Sequence, residues 1–202
     1  DQFNFLICFS KYSLTKEIAS EIVNQLLSKI FVKELAGQSA WIMYYITKND
    51  INNIDLFFFH PKFESNESNN IFYIISKCLD EEKMEELFYI GYLKFCINTL
   101  LHLDKFNLVF QTIMSYEIPS KILKQFETFS PNSECKTLFI KFLNIMLKYD
   151  TKFLNDELIL NVLNLSLDSK ISAINQSMIF LMKVIPVSSI ELITQIMRSE
   201  FF

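Results

Sequence analysis

The stretch LNLSLDSKISAINQSMIFLMKVI, Leu163 to Ile185, decides the fold class. Its apolar residues recur every three or four positions on both sides of a short polar turn, as in helices that each bury one face. The turn is Asp168-Ser169, and the small residues Ser172 and Ala173 follow it near the start of the second segment. The stretch therefore predicts a helix, a tight turn and another helix.

Two earlier blocks share this pattern. The three blocks to compare are KFCINTLLHLDKF from Lys94, KFLNIMLKYDTKF from Lys141 and IFLMKVIPVSSIEL from Ile179. Phe95, Phe142 and Phe180 align, with successive phenylalanines roughly 40 residues apart, a period typical of a helical solenoid. Each block is an apolar helix that ends in a polar residue able to cap the next helix. These residues are Asp104, Asp150 and Ser188. A non-repeating helical bundle is the alternative.

On these blocks, the chain from Ile71 to its C-terminus resembles armadillo/HEAT-type repeats. The resemblance is one of pattern, without a diagnostic residue string. The glycines usual between armadillo helices are missing, which favours HEAT-like or irregular packing. The resemblance implies an all-α fold, a right-handed solenoid of about ten helices, and a habit of binding other proteins. It also fits the 50% hydrophobic content, because each helix of a solenoid is sandwiched between neighbours.

Helical periodicity predicts a series of segments with short connections. The first helix follows Ser13 as its cap and ends at Gly37, and the second runs from Ser39 to Lys48. The later segments are Asn70–Leu79, Glu81–Leu103, Lys105–Ser115, Ser120–Phe129, Glu134–Tyr149, Asp156–Leu167, Ser169–Ile185 and Ser188–Arg198. We interpret residues 1–202 as one helical-repeat domain with N-terminal helices in 1–50, a loop in 51–70 and a repeat block in 71–202. Both ends are interpreted as cuts through a longer polypeptide.

Composition excludes several classes of site. The chain has only 2 glycines and 4 prolines, which favours helices over turn-rich β architectures. Gly37 and Gly91 lie too far apart in the chain to build a dinucleotide fingerprint or a P-loop. The net charge of −4 argues against a general nucleic-acid binder. No apolar run is long enough to span a bilayer, and we expect no membrane partner.

The cysteines predict a reducing compartment. Cys8, Cys78, Cys96 and Cys135 contain no CxxC pair, so neither a zinc ribbon nor a thioredoxin-like motif is present. Four cysteines are too sparse for a disulfide scaffold, and buried free thiols fit better. We therefore expect a cytoplasmic protein, with the nucleus as the alternative.

The titratable residues predict no catalytic, metal or cofactor site. His60 and His102 have no second ligand three or four positions away, and Cys96 lies on another side of the helix that precedes His102. The acidic cluster from Asp80 to Glu86 is explained by a helix start, where the dipole and the unpaired N–H groups stabilise carboxylates.

A polar stripe is the candidate binding surface. Lys94, Asn98 and His102 follow one another every four residues on one predicted helix. Lys141, Asn144 and Lys148 take the corresponding places on the next block, and Asn175, Gln176 and Lys183 continue the pattern less regularly. In a stacked array these residues would form a groove whose asparagines bond a peptide backbone and whose lysines attract acidic residues. An ordinary solvated face is the alternative.

A second candidate is LFFFHPKF, Leu56 to Phe63, which precedes a polar segment. Our first interpretation is that Phe57, Phe58 and Phe59 fill a gap between the N-terminal helices and the repeat block. The alternative is an exposed aromatic hook for a partner, because exposed apolar patches mark interaction sites.

These features together favour a non-catalytic protein-interaction scaffold or adaptor. Its expected partner is a protein or a neighbouring subunit of a larger assembly. One alternative is a specialised solenoid regulator, such as a transport receptor, a vesicle-coat adaptor or a chaperone regulator. The other is a helical-bundle enzyme, which paired acids or metal ligands on facing helices would indicate.

Overall fold

The computed structural model describes residues 14–27, 29, 32–58, 71–81, 84–125, 134–151, 153–167 and 171–198. Every regular element in these ranges is helical, and none of them contains a strand, so the all-α prediction is confirmed. The α-helices are α1 Lys16–Leu27, α2 Lys33–Asn49, α3 Asp55–Phe58, α4 Ile71–Glu81, α5 Glu86–Leu100, α6 Leu103–Ser115, α7 Ile118–Gln125, α8 Glu134–Met146, α9 Asp156–Leu167, α10 Ile171–Val184 and α11 Ile190–Arg198. Short 3-10 helices cover Ile51–Ile54 and Ile185–Val187.

The chain divides into two compact units, residues 1–122 and 123–202. Helices α1 to α6 belong to the first unit, α8 to α11 belong to the second, and the division falls within α7. The single repeat domain over 1–202 stays a prediction. Phe95 in the first unit and Phe142 and Phe180 in the second are each fully buried, as residues at equivalent core positions would be.

The first predicted helix was wrong at its end. Helix α1 ends at Leu27, and Gly37 lies inside α2 instead of terminating α1. A Cβ atom at Gly37 would lie 3.2 Å from Leu87 Cδ2, so Leu87 packs closely against α2 at this position. Residues 51–58, expected in a loop, form a 3-10 turn and the single turn α3. The remainder of that loop, 59–70, lies outside the described residues.

The three predicted caps were also displaced. Helix α6 begins at Leu103, which places Asp104 within its first turn. Helix α9 is capped by Asn155, whose Oδ1 accepts a hydrogen bond of 2.7 Å from the Leu158 N–H, and not by Asp150. At α11 the cap is Ser189, whose Oγ accepts from Leu192 N–H at 3.1 Å. At α9 and α11 a neighbouring polar residue thus accepts from one of the first free N–H groups of the helix, whereas His102 before α6 makes no side-chain cap hydrogen bond.

The core of the first unit is the crossing of α2 and α5. Ten of the fifteen residues of α5 are buried, so this helix is covered on most of its circumference. A Cβ atom at Gly91 would lie 2.8 Å from the backbone nitrogen of Trp41 and 2.9 Å from the carbonyl carbon of Ala40. Because those distances are shorter than van der Waals contact, the crossing depends on glycine at this position.

Aromatic rings fill the space beside this crossing. Phe57 meets Phe95 edge to face at 5.6 Å between ring centroids, and Phe58 lies 5.2 Å from Phe72. Phe72 in turn lies 5.8 Å from Phe95, which joins α3, α4 and α5 in one core. Edge and offset contacts of this kind stabilise the core beyond the area that they bury.

In the second unit, α10 packs against both α8 and α9. The inward side of α10 carries Ser177, Phe180, Leu181 and Val184, and all four are buried. Their spacing of three and four residues places them on one face of the helix, which leaves the opposite face of α10 for the solvent.

Candidate functional site

The first predicted stripe does not form one open row. Helix α5 ends at Leu100, so exposed His102 lies in the connection to α6 and off the face that carries Lys94 and Asn98. The Lys94 ammonium lies over the ring of Trp41, 4.6 Å from its centroid, in a cation–π contact. Asn98 is half-buried, and its Nδ2 has no hydrogen-bond partner among the described residues.

The second stripe is interrupted by a buried residue. Lys141 and Lys148 are exposed, but Asn144 between them is only 4% exposed. The Asn144 Nδ2 donates a hydrogen bond of 2.8 Å to the backbone carbonyl of Gln176 in α10. Asn144 therefore joins α8 to α10 and is not free to bond a peptide.

Lys183 completes this junction from the other helix. Its Nζ donates to the backbone carbonyl of Asn144 at 2.6 Å. That carbonyl belongs to the last turn of α8, where carbonyls lack the usual donor, and the Lys148 N–H is instead bonded to Ile145. A cation at the C-terminal end of a helix is also favoured by the helix dipole.

The environment of Lys183 affects its protonation. Partial burial lowers the pKa of Lys183, and the nearby charge of Lys148 lowers that pKa further. The two ammonium groups are therefore close enough to repel each other. Asn144, Gln176 and Lys183, all of them predicted stripe residues, therefore contact one another in the structure. They form a junction between α8 and α10 and not an open groove.

The structure describes two of the three phenylalanines of the second candidate site, Phe57 and Phe58. Phe57 is fully buried and Phe58 nearly so, and both belong to the aromatic core of the first unit. Neither side chain is available as an exposed hook, which agrees with the packing interpretation. Phe59 lies outside the described residues.

An aromatic cluster on α2 is a further surface feature. Trp41, Tyr44 and Tyr45 are half-buried and contact one another, with ring centroids 5.2 to 5.9 Å apart. Lys48 lies over Tyr44 at 5.5 Å, just as Lys94 lies over Trp41. The lysines thus cover the open faces of two of these rings with side chains of the same unit.

The outward face of α10 is the clearest candidate surface. It consists of Ile174, Met178, Ile179 and Met182, and all four are exposed, Met182 to 74%. We call these four residues the α10 face. Large apolar side chains that lie side by side on the exposed face of a helix are unusual in a folded protein. Such patches ordinarily mark an interaction site. The α10 face was not predicted from the sequence, because the apolar arc of this helix was expected to be covered by neighbouring helices.

The buried titratable groups of α5 lie in a different environment. Burial raises the pKa of Tyr92 and of Cys96 well above their usual values, so both remain protonated at neutral pH. Cys78, Cys96 and Cys135 are buried free thiols. A protonated, buried thiol is not a nucleophile, which makes Cys96 a core residue.

The described ranges contain neither a cluster of metal ligands nor a helix able to span a membrane. No group of three or more His, Cys, Asp or Glu side chains in the described ranges is placed to hold a metal ion. Among the same residues, no helix is both long and apolar enough to cross a membrane.

Comparison with known proteins also found no match. No protein-family model matches the chain, and neither a curated protein nor a solved structure is significantly similar to it. The candidate surfaces must therefore be judged on their own physical chemistry.

Proposed function

We propose that this chain is a non-catalytic protein-interaction scaffold or adaptor, and that it binds its partner through the α10 face. The observation that carries the proposal is the exposure of four large apolar side chains in a row on one helix. Leaving such a patch in water is unfavourable, and covering it with a partner releases free energy in proportion to the apolar area buried. Methionine also adapts to partners of different shape.

The finer architecture belongs to the same proposal. We expect a right-handed armadillo/HEAT-like solenoid in which equivalent helices stack. Support comes from the three aligned phenylalanines, which are all fully buried, and from the packing of α10 against both α8 and α9. In such an array each helix pair covers the apolar face of its neighbour, so an open apolar face is where the next protein element docks. Three buried free thiols support a reducing compartment, the cytosol or the nucleus.

The α10 face replaces the polar stripe as the proposed contact surface. Of the six stripe residues, Asn144 and Lys94 are engaged inside their own units. Lys141, Lys148 and His102 are exposed but are not joined in one row with them. The lysines remain available at the edges of a partner site, where charge guides orientation more than affinity.

The test is affinity capture with the full chain and two matched variants. The first variant carries Met178→Ser and Met182→Ser, and the second carries Lys141→Ala and Lys148→Ala. We expect a captured protein to be lost from the methionine variant and retained by the lysine variant, with the helical circular dichroism of both unchanged. Loss of the captured protein from the lysine variant alone would indicate that the polar stripe, and not the α10 face, is the binding site. Retention by both variants would contradict the proposal.

A further inference from the structure

We propose that the occupant of the α10 face is an acidic amphipathic helix of a partner protein. This inference rests on the interaction role proposed above and specifies the chemistry of the partner. Two features of the second unit carry it, namely the shape of the apolar row and the charge at its edge.

The apolar row has the length and spacing of a helix-docking surface. Ile174, Met178 and Met182 recur every four residues, so their side chains follow one another along about 12 Å of the α10 surface. A partner helix would pack against such a row with its own apolar residues, which recur every three or four positions over two turns. The inward side of α10 is packed in the core, so this face cannot turn inward to cover itself.

The edge of the row is basic. Lys183 follows Met182 directly and lies one turn beyond Ile179. Its Nζ is held 2.6 Å from the Asn144 carbonyl, and exposed Lys148 comes one turn after Asn144. Within the described part of the chain, neither lysine forms an ion pair with a carboxylate.

Two neighbouring ammonium groups, of which Lys183 is held in place, favour carboxylates on the partner. Lys183 is fixed by its hydrogen bond, so little side-chain freedom is lost when a second acceptor approaches. A glutamate or aspartate beside the apolar row of the partner would also relieve the repulsion between Lys148 and Lys183. A basic partner would add to that repulsion and would therefore bind less tightly. Like charges across an interface disfavour wrong partners in this way.

A lipid surface fits the α10 face less well than a helix. Recognition of anionic membranes typically uses clusters of about 4 to 8 basic residues. Here only two lysines are found at the edge of the row, among the residues that the structure describes. Protein is therefore the occupant to which the observations point.

The test is a selection with the full chain as bait. The probes are displayed amphipathic helices of about five turns, with a fixed leucine row and flanking positions that vary among Glu, Gln and Lys. We expect glutamate to be enriched beside the leucine row. A selected helix should bind at least about tenfold more tightly than its Lys-substituted version at low ionic strength, and salt should reduce the difference.

Three bait variants locate the effect. The variant with Met178→Ser and Met182→Ser should bind none of the selected helices, because it lacks the apolar row. Lys148→Glu should shift the flanking preference from Glu towards Lys. The matched control Lys16→Glu makes the same charge change at an exposed position of α1 and should leave the preference unchanged.

Each other outcome overturns the inference in a distinguishable way. Equal enrichment of Glu, Gln and Lys, still lost with the methionine variant, would overturn acidic selection and leave the interaction role intact. No enrichment over the methionine variant would overturn both. Binding to phosphatidylcholine–phosphatidylserine vesicles through the same methionines, without helix selection, would assign the face to a membrane. A dimer in light scattering that the methionine variant abolishes would assign it to a second copy of the chain.

Discussion

Helices α5 and α10 are similar in apolar content and differ in environment. Both are dominated by apolar residues, and both carry a fully buried phenylalanine from the aligned blocks, Phe95 and Phe180. In α5 ten of fifteen residues are buried, whereas α10 leaves four large apolar side chains exposed. Apolar content therefore shows that a helix can be buried, but the neighbouring elements determine how much of its surface is buried.

The reason lies in the neighbours of each helix. Helix α2 approaches α5 closely because Gly91 offers no side chain at the crossing, and α3 and α4 add aromatic rings beside it. Helix α10 has α8 and α9 on its inward side, and its outward side remains open. The partner that we propose would cover α10 as α2 covers α5.

The largest effect should come from the inward side of α10. Leu181 is 2% exposed, and Leu181→Ala should lower the free energy of unfolding by roughly 2 to 5 kcal/mol, because it removes buried methyl groups and leaves a cavity. The adjacent Met182→Ala should change it by less than about 0.5 kcal/mol. Urea denaturation of both variants measures the difference. Equal losses would mean that Met182 is covered within the chain.

The crossing of α2 and α5 should be the next most sensitive. Gly91→Ala should cost about 1 to 3 kcal/mol of stability, because its Cβ meets the backbone of α2, which cannot move aside locally. Gly37→Ala meets only the Leu87 side chain, which is partly exposed and can shift. That variant should be neutral or gain up to about 1 kcal/mol from helix propensity. Thermal unfolding would contradict this account if the two substitutions had the same effect.

A smaller effect is expected at the junction of α8 and α10. Asn144→Ala should lower stability by about 1 kcal/mol, because it removes the hydrogen bond to the Gln176 carbonyl. Lys141→Ala, on the exposed side of α8, should stay within about 0.5 kcal/mol of the parent chain. If chemical denaturation showed no loss for Asn144→Ala, the stripe would have to be considered solvated after all.

The smallest effect concerns protonation. The folded-state pKa of Lys183 lies below its ordinary value of 10.5, so between those two values the unfolded chain binds more protons than the folded chain. Stability should therefore rise with pH in that alkaline window. Lys148→Ala removes the second cause of the lowered pKa and should raise the pKa of Lys183 towards 10.5 and reduce the rise in stability. NMR titration of the lysine side chains measures the shift; an unchanged or lower pKa would contradict it.

The sequence predicted the helices from Ile71 onward because their apolar periodicity is local, but their ends differ by up to five residues, as at Glu86, where a start at Glu81 was predicted. It could not predict the break between Leu27 and Lys33, where neither glycine nor proline marks an end. The glycine that it took for a terminator, Gly37, serves a contact with Leu87 on another helix. Caps were misplaced because adjacent polar residues, such as Ser188 and Ser189, are equally good candidates until the start of the helix is known.

The candidate site was less predictable than the fold. Asn144 looked solvated because it is polar, but its partner is a backbone carbonyl on α10, which no local pattern reveals. Met178 and Met182 were not identified at all, because apolar residues at helical spacing do not show from sequence alone which of them face the solvent. Exposure of an apolar side chain depends on which neighbour is present, and that is a property of the tertiary structure.

The most direct test uses methionines as probes of both helix environments. Met43 on α2 and Met146 on α8 are fully buried, whereas Met178 and Met182 belong to the α10 face. Methyl NMR of the labelled chain with a soluble paramagnetic agent reports how closely each methyl approaches the solvent. We expect strong broadening at Met178 and Met182 and little at Met43 and Met146. Protection of Met178 and Met182 to the level of Met43 would show that the chain already covers this face, and would contradict the proposed site.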